Sequence, residues 1–300
     1  MHAVVLVIVL GLPALLITLI VLLVTNQGGP PRDHEATVVA ARRHETRISA
    51  AAAAASVCSA LALGNPAVVT WGPPGVLLGL APFVAALTFC LARLSGETRW
   101  PRPTGEVRSA PLVRRSVRDQ GGWRLPLFVG TAVGLAVALV VFGLTAADDG
   151  RSVERVVTSA GGVVVETHAA GPYPDWELGG PALVALLLVV GTTVLALRAV
   201  TRRPPIGLLS PAQDDAIRRT SAARVLGGAQ AWVGLGAAGY LAFAAGALLR
   251  VDELAGGLAC LLLAVVAFVG SLVVATTALT SRRAGAADGV PRTAPAEPSA

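Results

Sequence analysis

Seven mostly apolar stretches, each near the length that crosses a bilayer as a helix, alternate along this chain with short polar segments rich in arginine. A hydrocarbon core of roughly 30 Å takes about 20 helical residues, and the chain supplies that length repeatedly. The pattern predicts spans from about Ala3 to Val24, Ile48 to Leu63, Val76 to Leu91, Leu127 to Ala146, Ala182 to Val200, Ala229 to Leu249 and Leu254 to Leu279. The second is the least apolar, because residues 50–55 are six alanines and Ala is only marginally hydrophobic. The expected fold class is an all-α membrane protein, one helix-bundle domain over residues 1–280.

Charge gives the bundle a direction. All 24 basic residues are arginine. With the N-terminus outside, the inner segments hold 21 Arg against 10 acids and the outer ones 3 Arg against 8 acids. That asymmetry predicts an N-out, C-in protein with its Arg-rich segments on the cytoplasmic side of the membrane. The first span lacks a basic n-region and a small-residue cleavage site before Thr25, so it is expected to stay uncleaved. A pI near 10.4 would raise nucleic-acid binding in a soluble chain. Here the positive charge sorts by membrane side, so the expected partner is the lipid bilayer, with the Arg-rich inner face near anionic lipids and no nucleic acid.

The segments between spans carry finer expectations. Spans one to three and five to seven share an order, and Pro30-Pro31 with Ala41-Arg42-Arg43 resembles Pro204-Pro205 with Ile217-Arg218-Arg219. This suggests a three-plus-one-plus-three parallel repeat, against chance likeness of two Arg-rich loops. Ser210 and Pro211 read as a helix start, with Asp214–Arg218 and Asp215–Arg219 as i,i+4 pairs on a solvated juxtamembrane helix. Residues 94–126, with Trp100, Pro101, Pro103, Trp123 and Arg124, read as a loop against the inner leaflet. In the extracytoplasmic loop 147–180, Val153 to Val157 and Val163 to Glu166 read as a short hairpin, and Tyr173 and Trp176 as interfacial anchors. The Pro/Ala-rich tail 284–300 reads as disordered.

Candidate chemistry is sparse. The spans contain no deep ionisable residue, only mild polar groups such as Ser56, Thr131, Thr193, Gln230 and Ser271. Such groups usually bond a backbone carbonyl one turn back or join helices. His34 and His44 match no closed zinc spacing, and Cys58, Cys90 and Cys260 read as small buried hydrophobes. No catalytic, cofactor-binding or metal-binding residue is predicted, and no cofactor. Gly75/Gly79, Gly130/Gly134 and the run Gly234, Ala238, Ala242, Gly246 offer close helix approach, within the monomer or in a homo-oligomer.

The run Gly96-Glu97-Thr98-Arg99-Trp100-Pro101-Arg102-Pro103-Thr104-Gly105-Glu106-Val107-Arg108, with Asp214-Asp215-Ala216-Ile217-Arg218-Arg219-Thr220-Ser221-Ala222-Ala223-Arg224, resembles segments of uncharacterised polytopic integral membrane proteins of high-GC actinobacteria. That resemblance implies placement in a bacterial cytoplasmic membrane and carries over no site residue. The functional expectation is a non-enzymatic structural or interaction component meeting lipid, a protein partner or a second copy. The alternative is a permease for a neutral or apolar solute, not coupled through intramembrane charge.

Overall fold

The computed structural model describes residues 36–65, 75–98, 116–158, 162, 164–204 and 211–280. The first apolar segment, most of the 94–126 loop, Ser210 and the tail lie outside those residues, together with the expectations placed on them. The described elements are α1 (Ala36–Gly64), α2 (Val76–Thr98), α3 (Val117–Gly121), α4 (Arg124–Thr145), β1 (Val153–Thr158), β2 (Val164–Ala170), α5 (Trp176–Arg202), α6 (Pro211–Arg250) and α7 (Leu254–Thr280). Six of these helices are long and apolar enough to cross a membrane, so the chain is a multi-pass membrane protein. The least apolar expected span, the alanine-rich one, is α1.

α6 is the central post, touching α1, α2, α4, α5 and α7. Lipid tails are as apolar as leucine, so close packing rather than water exclusion holds such helices together. Glycines on α6 make that approach. Gly236 faces the Phe83 ring, Gly228 the Phe89 ring, Gly227 the Ala278 methyl and Gly234 the Ser271 side chain. On α2, Gly79 lies against Tyr240. Two of the expected close-approach positions behave otherwise: among the described residues a Cβ on Gly130 or Gly134 would meet nothing within 4 Å, and both sit on an exposed stripe of α4. Ala242 is also exposed, so the seam on α7 follows Gly227 and Gly234 rather than the predicted four-residue ladder. α7 packs chiefly along α6, leaving Leu258, Leu262, Val266 and Phe268 exposed as lipid-facing surface.

One end of the bundle carries the β-hairpin. β1 and β2 pair antiparallel, with Arg155 opposite His168 and Val157 opposite Glu166. An isolated two-stranded ribbon is marginal in water. This one is anchored: Val153 is buried, Arg155 donates to the Val251 and Asp252 carbonyls (3.4 and 2.5 Å), and Arg250 donates to the Gly171 carbonyl (2.9 Å). Trp176 is half-exposed over Gly143, as an interfacial residue should be, whereas Tyr173 is buried. Its ring meets Phe142 edge-on at 5.5 Å and its hydroxyl shares a 2.8 Å hydrogen bond with Thr145. Burial pushes the Tyr173 phenol up despite that bond.

The entry turn is built by Asp149, which accepts from the Arg151 and Ser152 backbone N–H groups and the Ser152 hydroxyl. Those bonds, the Arg151 N–H foremost, hold its carboxyl below the usual range. The turn is therefore expected to persist below the pH at which ordinary aspartates protonate, and to open only as pH falls through that lowered value. α5 then starts on Asp175, whose Oδ1 accepts from Leu178 N at 3.0 Å. Replacing this cap, Asp175→Ala, should lower stability by about 1 kcal/mol, read as a small fall in the thermal midpoint of the purified protein.

Candidate functional site: a buried ion network

The opposite end of the bundle holds what the sequence reading missed. α2 does not stop near Leu91 but runs to Thr98, and α1 and α6 begin well before their apolar stretches. α6 has 40 residues and is about 60 Å long, twice the hydrocarbon thickness. The excess of four helices gathers into one cluster.

Its hub is Glu45 on α1. Arg93 of α2 donates to Glu45 Oε1 at 2.8 Å, and Arg224 of α6 donates to the same oxygen at 3.2 Å. Ser221 donates to Glu45 Oε2 at 3.1 Å. Arg93 also donates to Ser49 at 2.9 Å and to Glu97, one turn along its own helix, at 3.5 Å. Arg203, just past α5, lies 3.6 Å from the other oxygen of Glu97. Burial lowers the Arg203 pKa from its ordinary value, and Glu97 opposes that shift. The predicted Asp214–Arg218 pair forms, at 2.9 Å. It is not a solvated surface pair, however: Arg218 and Arg93 are both 0% exposed.

Helix ends explain why arginine suits these positions. Arg218 donates to the Val200 and Thr201 carbonyls (2.9 and 3.2 Å), capping the C-terminal end of α5. His44 donates to the Gly96 carbonyl near the end of α2 (3.2 Å). Carbonyls left over at a helix C-terminus carry partial negative charge, which a guanidinium or imidazole N–H satisfies. The cluster thus fastens the ends of α2 and α5 to the first halves of α1 and α6. Four guanidinium groups and three carboxylates, buried together, require one another, since an isolated buried charge costs several kcal/mol.

Farther into the bundle the polar groups are neutral. Gln230 donates to Thr131 on α4 and Ser271 on α7, both at 2.9 Å. Trp232 donates to Ser56 at 3.2 Å. Thr131, Thr192 and Thr276 bond carbonyls one turn back, as expected. Cys90 is buried beside Thr193, whereas Cys58 faces outward; all three cysteines are free. His44 belongs to no group of three metal-ligand types among the described residues.

Two signals could have found the network. Arg93 and Glu97 stand at i,i+4 directly after an apolar run, and Glu45 and Ser49 stand at the same spacing leading into one. Both mark a helix continuing past the membrane with a polar face.

Fold and site together define a multi-pass helical membrane protein whose helices overrun the apolar layer at one end and are tied there by buried charge. No family model matches the chain, and neither a curated protein nor a solved structure matches it.

Proposed function

We propose that the protein is a non-enzymatic structural or interaction component of a bacterial cytoplasmic membrane, inserted N-out and C-in, with the ion network on the inner side. The observation that supports this reading is how the polar groups are used. Charges brace helix against helix, and hydroxyls bond carbonyls or neighbouring helices. The seams of the central post are filled by Phe83 and Phe89. A permease needs a path between helices and polar groups free to line it, so those filled seams weigh against the transport reading.

The three-plus-one-plus-three plan belongs to this proposal, with the α1–α2 and α6–α7 hairpins as corresponding units and α4 as connector. Reporter fusions after Thr25, Asp149 and Ala300 test the orientation, with Asp149 expected outside and the other two inside. Crosslinking in native membranes followed by mass spectrometry tests the function, with a reproducible protein partner or a self-crosslink expected. A chain found alone under both crosslinking and mild-detergent purification, in a strain whose deletion changes uptake of a defined neutral solute, would move the assignment to permease.

A further inference from the structure

The ion network sorts the charged residues at its end of the bundle into a buried set and an exposed set. At its end of the bundle the acids Glu45, Glu97 and Asp214 are turned inward onto arginines. Among the described residues there, the acids left outside the network are Asp119, which caps α3 through Ser116, and Asp215. Arg43, Arg47, Arg198, Arg202 and Arg219 remain exposed. The network buries four arginines with those three acids, so the net charge outside is little changed, and on what remains outside arginine far outnumbers acid.

Its height follows from helix rise. Counting along α6 from Arg250 at the hairpin end, about 30 Å of hydrocarbon ends near Gln230. One turn farther, Leu226 lies against Gly121, and Arg124 donates to the Thr277 carbonyl at 3.0 Å. Arg124 stacks on half-exposed Trp123 with its guanidinium 4.8 Å from the ring centroid. A Trp with an Arg over it suits the level of lipid headgroups. Arg47 lies two residues from Glu45, which bonds Arg224, and so falls in the same layer. Arg198 and Arg202 lie one to two turns beyond it on α5, within reach of long side chains that extend toward phosphates.

We infer that Arg47, Arg124, Arg198 and Arg202 form a collar that binds the phosphates of anionic phospholipids, with the acids Glu45, Glu97 and Asp214 held inside the network and not beside them. Guanidinium groups meet phosphate oxygens in a bidentate fork, and each basic residue near an anionic leaflet adds favourable energy that salt screens. The inference rests on the bilayer placement proposed above, and not on any protein partner.

The test uses the full chain purified in dodecyl maltoside, with phosphatidylglycerol or phosphatidylcholine added at equal mole fraction and the thermal midpoint read by size-exclusion chromatography. Phosphatidylglycerol should raise the midpoint above phosphatidylcholine by about 5 °C or more, and high salt should remove the difference. The Arg47→Gln/Arg198→Gln/Arg202→Gln variant should keep its midpoint in phosphatidylcholine and lose the phosphatidylglycerol increment. Should that variant fail to fold, Arg47→Gln and Arg198→Gln are made singly, each expected to lose part of the increment. Equal midpoints in the two lipids, or an increment untouched by the substitutions, would overturn the collar. An equal rise with soluble glycerol phosphate would also overturn it, since a free anion and not a lipid would then be the ligand. None of these outcomes bears on crosslinking to a protein partner, so the two proposals fail separately.

Discussion

Glu45→Ala is expected to destabilise the protein by about 3–5 kcal/mol, the largest single effect available at the arginine end. The size follows from what remains behind. Arg93 and Arg224 would both keep their charge, remain buried, and lose the oxygen they share at 2.8 and 3.2 Å. Ser221 would lose its acceptor as well. Removing the carboxylate therefore costs more than the pair itself contributes, because a buried ion pair roughly breaks even against water while a buried lone charge does not. The same reasoning predicts rescue. Replacing Glu45, Arg93 and Arg224 together by Leu, Met and Met should recover most of the loss, since no unmatched charge is created at the hub. Thermal unfolding in detergent measures both. A single substitution costing under about 1 kcal/mol would show that water reaches the hub, and that the network is a surface feature.

Hydropathy and charge made much of the fold legible, and the reason is physical. Water is absent from the hydrocarbon layer, so every span must be a helix and must be apolar, a demand that α2, α4, α5, α6 and α7 meet on composition alone. The hairpin was legible because β-branched runs bracket a Ser-Ala-Gly-Gly turn. The ion network was not, because counting arginines by membrane side treats each as loop charge. Arg93 and Arg218 satisfy that count while pointing away from water, and nothing in a count distinguishes a guanidinium capping Val200 from one facing solvent. The i,i+4 spacing of Asp214 and Arg218 was visible, but its burial depends on α5 ending beside it, which is a tertiary fact. The small-residue ladders were legible only in part for the same reason. Gly79 and Gly234 are closely approached, whereas Gly130 and Gly134 are approached by nothing among the described residues, because spacing says that a helix can be approached closely and only packing says from which side.

That distinction sets the second large effect. Gly234→Leu should separate α7 from α6, with a loss of about 3 kcal/mol or more, because the new side chain would occupy the space of the Ser271 side chain, with the Ala267 carbonyl 3.1 Å from its Cβ. A carbonyl on a packed helix cannot swing aside as a lysine would, so α7 must move as a unit, and the Gln230–Ser271 bond at 2.9 Å goes with it. Gly130→Leu is the matched control, a glycine of the same kind on α4 that meets nothing within 4 Å among the described residues. In the monomer it should be neutral to slightly stabilising, since leucine is the better helix former by under 1 kcal/mol. Thermal midpoints of the two variants, with protease access to α7, separate the cases. If Gly130→Leu instead abolishes a self-crosslink seen with the wild-type chain, the open stripe of α4 is the face on which two copies meet, since a glycine that meets nothing among the described residues leaves room for close approach by a second copy.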